Sequence, residues 1–134
     1  MTRVAKKTAG AAPSRSANRT RGEYTLTLGG RPYLLRPSFS AQVAIETALD
    51  KSYFELAAAA QVAALRIDHA SVIVTELVNA GAEDPMDKIS AERAGEMIYE
   101  AGMPSIAPVL AVLLIDALSG GRTASGEAKA VATQ

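Results

Sequence analysis

Near the start of the chain, hydrophobic and polar positions alternate strictly. Glu23 to Leu28 reads EYTLTL, with Tyr24, Leu26 and Leu28 set against Glu23, Thr25 and Thr27. A period of two marks a strand with one buried face. Gly29 and Gly30 follow, and both accept the positive φ that a two-residue primed hairpin turn demands. The chain returns as RPYLLRP, which pairs Leu28 with Arg31, Leu26 with Tyr33 and Tyr24 with Leu35. Tyr24, Leu26, Tyr33 and Leu35 then share one face. Pro32 falls opposite Thr27 in a non-hydrogen-bonded pair, where its missing N–H costs the ladder nothing.

After Pro37 the apolar spacing lengthens to that of helices. A first helix has Ser38 or Ser40 as its N-cap, with Phe39, Val43, Glu46 and Leu49 on one side. A carboxylate inside that stripe needs a partner, and Arg31 or Arg36 is the candidate. Ser52 with Glu55 forms a capping box that opens a second helix, to about Leu65, with Leu56, Ala60, Ala63 and Ala64 on its packed side. Asp68 is placed to cap a third, about 69 to 80, which carries Ile73, Leu77 and Ala80 and stops at Gly81 in a left-handed C′ conformation. An acidic linker covers residues 82–88. Ile89 and Ser90 read as hydrophobic staple and N-cap of a fourth helix, about 91 to 101, with Ala94, Met97, Ile98 and Ala101 inward. Gly102 ends it. A fifth runs from about 105 to 118, with Ser105 as cap and Pro108 in the first turn, where proline removes no helical bond. Its segment Ile106 to Ile115 is almost wholly apolar and too short to span a bilayer; it reads as a central buried helix, or equally as one partly exposed until a partner covers it.

The fold class expected is mainly α (α+β): a two-stranded hairpin packed on about five short helices. A hairpin alone is marginal in water and must lay its apolar face on something. Residues 22–120 form this single domain, preceded by a disordered basic tail, 1–21, and followed by a flexible polar tail, 121–134. At 134 residues the chain suits one modest core. It is 49% hydrophobic but only 4% aromatic, so alanine and close helix approach carry much of the packing.

The formal net charge is zero, yet the charges are segregated. Residues 1–22 hold Arg3, Lys6, Lys7, Arg15, Arg19 and Arg21 and no acid, whereas residues 46–116 hold twelve acids against four bases. The basic segment has no continuous apolar run, so it does not read as a secretory signal. Its charges are diluted by small residues with no aromatics for base stacking, a weak nucleic-acid footprint. No helix carries the outward Arg, Lys, Asn and Gln set of a recognition helix.

The chemistry of an enzyme is missing from the inventory. There is no phosphate-binding glycine loop and no nucleophile elbow. Glu46 and Asp50 could pair on the first helix, but nothing sets them in a cleft. Zero cysteines exclude a thiolate site or a disulfide framework, and His69, the only histidine, lacks partners for zinc and reads as a first-turn surface residue. The linker lacks the glycine and glutamate spacing of a calcium loop. No cofactor, metal or catalytic residue is expected. Glu92, Glu96 and Glu100 repeat at i+4, stacking like charges along one helix edge, either as a solvated face or as an acidic docking strip.

The junction LGGRPYLLRPSF, Leu28 to Phe39, followed by IETAL, Ile45 to Leu49, resembles the opening of small tail-assembly proteins of phage-like gene transfer agents. With the alanine-rich helices and the APVLAVLL segment, the resemblance covers roughly residues 22 to 120. That family is regarded as phage tail assembly chaperones and has no catalytic motif to carry over. The resemblance implies a class of partner, a tail or tape-measure protein held in an apolar groove with an acidic rim, in the bacterial cytoplasm. Glu46, Glu92, Glu96 and Glu100 are the rim candidates, with Tyr33 and Phe39 as apolar anchors. Two alternatives stand beside it: a structural tail or connector component retained in the particle, and a small nucleic-acid-binding regulator. No membrane partner is expected, and oligomeric state is not legible.

Overall fold

The computed structural model describes residues 22–120; the expected tails, 1–21 and 121–134, lie outside the described residues. Strands β1 (Tyr24–Leu28) and β2 (Arg31–Leu35) are followed by α1 (Phe39–Leu49), α2 (Tyr53–Gln61), α3 (Ile67–Gly81), a 3-10 turn at Pro85–Asp87, α4 (Ala91–Ala101) and α5 (Met103–Leu118). The strands pair antiparallel in the expected register, Tyr24 with Leu35, Leu26 with Tyr33, Thr27 with Pro32 and Leu28 with Arg31. Gly29 and Gly30 take φ of 61° and 78°. This is the hairpin-plus-five-helices architecture read from the sequence.

Helix α3 is the centre of the molecule and packs on β2, α1, α4 and α5. Its hold on the hairpin is close: the Arg36 amide donates to the Leu77 carbonyl at 3.0 Å. A Cβ on Gly81 would lie 3.2 Å from the Leu34 carbonyl oxygen. Gly81 is therefore the last residue of α3, small because β2 passes there, and not a left-handed terminator; its φ is not positive. Covered on this side, β2 buries Tyr33, Leu34 and Leu35 in succession. Leu28, Leu35, Ile45, Ile73, Leu77 and Leu110 lie at the heart of one continuous core.

The helix starts follow their caps. Ser38 Oγ accepts from the Ala41 amide, and Ser90 Oγ from the Arg93 amide, each at 3.1 Å. The capping box of α2 is complete: Ser52 Oγ accepts from Glu55 N, and Glu55 Oε1 accepts from Ser52 N. In several helices the details depart from expectation. Helix α1 buries Ala41 and Ile45 and leaves Phe39 and Val43 exposed, because small Ala41 permits the close approach to α3. Helix α2 stops at Gln61; Ala63 then takes a left-handed φ of 58°, turning Leu65 into the core and Ala63 and Ala64 outward. Asp68 sits inside the first turn of α3 instead of capping it, and accepts from Arg66 at 2.9 and 2.8 Å. That contact holds the Asp68 carboxyl below its usual range.

Gly102, with φ of 93°, joins α4 to α5 through a bend of 119°. It also caps α5, which begins two residues before the expected start, so Pro108 lies inside the helix. Asp116 does not end α5. It is buried and accepts a hydrogen bond from the Tyr24 hydroxyl, tying the last helix to the first strand. Among the described residues, no single helix is long and apolar enough to cross a membrane.

Candidate functional site

Helix α2 packs along α5, and the end of α2 lies beside the start of α5, so the two run antiparallel. Between them opens an apolar cleft of about 420 Å³ lined by Ala60, Ala63, Leu65, Met103, Ala107 and Pro108, with Gln61 and Pro104 completing the wall. Small residues and two prolines make this cleft, since no large side chain from either helix fills the gap. No ionisable group lines it. Such a lining offers a ligand shape and apolar surface.

The sequence-derived site residues do not converge on it. Glu92, Glu96 and Glu100 do share an exposed edge of α4, as their spacing requires. The ring of Tyr99, 78% exposed, stands among them, beside a shallow depression formed by Gly95, Glu96, Tyr99 and Glu100. Arg93 approaches Glu96 at 3.7 Å, an exposed i, i+3 contact of little energetic weight. Helix α4 leads through Gly102 directly into Met103 and Pro104, so the acidic edge and the cleft belong to consecutive stretches of chain.

The remaining three lie elsewhere. Phe39, 84% exposed, stands at the start of α1. Tyr33 is only 8% exposed and lies beneath the Arg31 guanidinium, 4.9 Å from ring centroid to Cζ. Glu46 does not reach an arginine. It accepts from the Tyr53 amide at 2.9 Å and from Gln42 Nε2 at 3.3 Å, bridging α1 to the first turn of α2. Arg31 is engaged by Asp87 at 2.7 Å, and Arg36 approaches the buried Glu23 carboxylate at 3.8 Å. Glu46 also acts on Tyr53, whose hydroxyl ionises only well above its usual range. Burial is the main cause, and the carboxylates of Glu46 and Glu76 add to it.

Sequence reasoning passed over Tyr99, and it expected an apolar groove between helices without locating it. Part of the signal for the cleft was present in α5, where Pro104, Ala107 and Pro108 recur at i, i+3 and i+4. Among the described residues, no group of three or more His, Asp or Glu side chains is placed to hold a metal ion.

Residues 21–120 match the family described as phage tail tube protein, GTA-gp10. No curated protein and no solved structure matches the chain.

Proposed function

We propose, from the premise that the chain belongs to the phage tail tube protein, GTA-gp10 family, that it works as a non-enzymatic assembly chaperone of a phage-like tail. In this reading it covers an apolar helical segment of a tail or tape-measure protein until that segment is built into the particle. The observation that carries the reading is the cleft between α2 and α5, uncharged, about 420 Å³ and open at the surface. An amphipathic helix laid in such a groove exchanges water for apolar contact without needing matched charges. The acidic edge of α4, next in the chain, offers a rim for basic residues flanking that helix, which adds selectivity and association rate more than affinity.

The test is co-purification of this chain from cells assembling particles, alongside a protein inventory of the finished particles. Recovery of a tail or tape-measure protein, with this chain missing from the particles, supports the chaperone. Pro108→Asp, which puts a charge into the cleft at an exposed position, is expected to lower that recovery by roughly tenfold, the effect of losing about 1.4 kcal/mol of binding.

A second reading is a tail component that remains in the particle, favoured by the family's description as a tail tube protein. A fixed stoichiometry of this chain in purified particles would establish it and remove the chaperone.

A further inference from the structure

A hairpin has two edges, and here one is closed and one is open. On β2, Pro32 has no N–H to offer, α3 covers Leu34, and the Leu77 carbonyl takes the Arg36 amide at 3.0 Å. On β1 the outcome is the opposite. Leu28 with Arg31, Leu26 with Tyr33 and Tyr24 with Leu35 are the hydrogen-bonded pairs, so the N–H and C=O of Thr25 and Thr27 point away from β2. Both threonines are exposed, and among the described residues none of these main-chain groups has a partner. Native sheets blunt such an edge with charge, proline, a bulge or a covering element. The strand YTLTL has no charge and no proline, and it pairs residue for residue without a bulge.

We propose that residues 14–20 fold back along this edge as a third, antiparallel strand, with β1 in the middle of the sheet. Only another extended main chain offers C=O and N–H groups at the ladder spacing. Three observations select this one. The first is pattern. Ser14 to Thr20 reads SRSANRT, without proline or glycine, and Ser14, Ser16, Asn18 and Thr20 alternate with Arg15, Ala17 and Arg19. That is a period of two, with arginine on one side only. At about 3.4 Å per residue the segment spans about 24 Å, enough for the about 17 Å of β1.

The second is position. Residues 21–23 join the segment to β1, and Gly22 lies there in a turn with a left-handed φ of 75°, which glycine adopts without strain. So short a connection holds the segment at the edge with an effective concentration of about millimolar, ahead of a separate chain. The third is charge. The full chain is formally neutral only through its division: residues 22–120 hold thirteen acids against six bases, and residues 1–21 six bases and no acid. Helix α4, which packs on β1, carries Glu92, Glu96 and Glu100, so arginines brought to this edge enter a field that favours them. Arginine on an edge strand also stops further pairing and ends the sheet. Sequence alone reads the segment as a disordered tail, because the edge it fits exists only once the hairpin has folded.

The test is amide hydrogen exchange of the full chain, followed by NMR at low and high protein concentration. In a two-stranded hairpin the Thr25 and Thr27 amides face water and exchange freely, whereas Tyr33 protects the Leu26 amide. With the third strand in place, Thr25 and Thr27 should exchange at least roughly tenfold more slowly, equally at both concentrations. Ala17→Pro with Asn18→Pro removes one donor at each parity of the segment, so one falls at a bonding position in any register. That variant should return both threonine amides to fast exchange while Leu26 stays slow, which shows the hairpin intact. Fast exchange of Thr25 and Thr27 in the parent overturns the proposal. So does protection that survives the two prolines, or protection that grows with concentration, which would give the edge to a second copy. No tail protein takes part, so the outcome is separate from the fate of the chaperone reading.

Discussion

Tyr53 shows at the scale of one residue how an apolar core carries a polar atom at a cost. Its side chain is wholly buried, and its hydroxyl has no hydrogen-bond partner among the described residues. A buried hydroxyl without a partner forfeits its hydration, a penalty of about 1–3 kcal/mol. Tyr53→Phe keeps the ring and removes that penalty, so chemical denaturation should show a gain of about 1 kcal/mol. The substitution also changes the alkaline response. The folded protein holds the Tyr53 hydroxyl protonated, whereas the unfolded chain releases that proton above pH 10. Raised in the folded state, this group contributes stability that is present below pH 10 and lost as pH rises further, at up to about 1.4 kcal/mol per pH unit. Tyr53→Phe should flatten that decline; a variant with the parent's alkaline slope would show that Tyr53 does not set it.

At the scale of elements, the connections decide more than the helices do. The linker between α3 and α4 is fixed by Asn79, whose carboxamide accepts from the Ile89 amide at 2.9 Å and donates to the Ile89 carbonyl at 3.1 Å. This doubled bond satisfies both backbone groups of Ile89 just before the Ser90 cap and sets the entry angle of α4. Asn79→Ala leaves both groups unsatisfied and should cost about 1–3 kcal/mol in thermal or denaturant unfolding. Helix α4 offers the opposite case. Glu100 lies near its C-terminus, where a negative charge opposes the helix dipole, and Glu96 precedes it by four residues. Glu100→Lys should stabilise the fold by roughly 0.5–1 kcal/mol, through the dipole and a new i, i+4 pair. If the acidic edge serves as a rim for a basic client, the same variant gains stability and loses tail-protein recovery. Equal recovery would remove Glu100 from the rim.

The whole molecule is one core around α3, with α5 closing it and α2 lying along α5. The two sides of α5 should therefore respond differently to substitution. Leu110 is fully buried, and Leu110→Ala should cost about 2–5 kcal/mol, with hairpin and helix signals lost in one transition. Val112 belongs to the outward side, and Val112→Ala should change stability by less than about 0.5 kcal/mol. If the two cost the same, α5 is not the boundary between core and surface.

The register and turn of the hairpin were legible from the chain itself, though the burial of Glu23 and Leu34 was not. Alternation, a Gly-Gly turn and the placement of Pro32 are local facts, and each admits a single register because a slip of one residue would turn the buried face outward. The caps at Ser38, Ser52 and Ser90 were legible for the same reason: donor and acceptor lie three residues apart. What the sequence could not settle was which side of each helix meets which neighbour. The stripe of α1 was expected at Phe39 and Val43 and is found at Ala41 and Ile45, because α3 arrives on that side. Glu46 was assigned to an arginine and instead holds the start of α2, and Gly81 was read as a terminator when its role is to let Leu34 pass. The α2–α5 cleft has the same origin. Its small and apolar residues look like core in a sequence, and only the meeting of two helices, distant along the chain, leaves them lining an open groove.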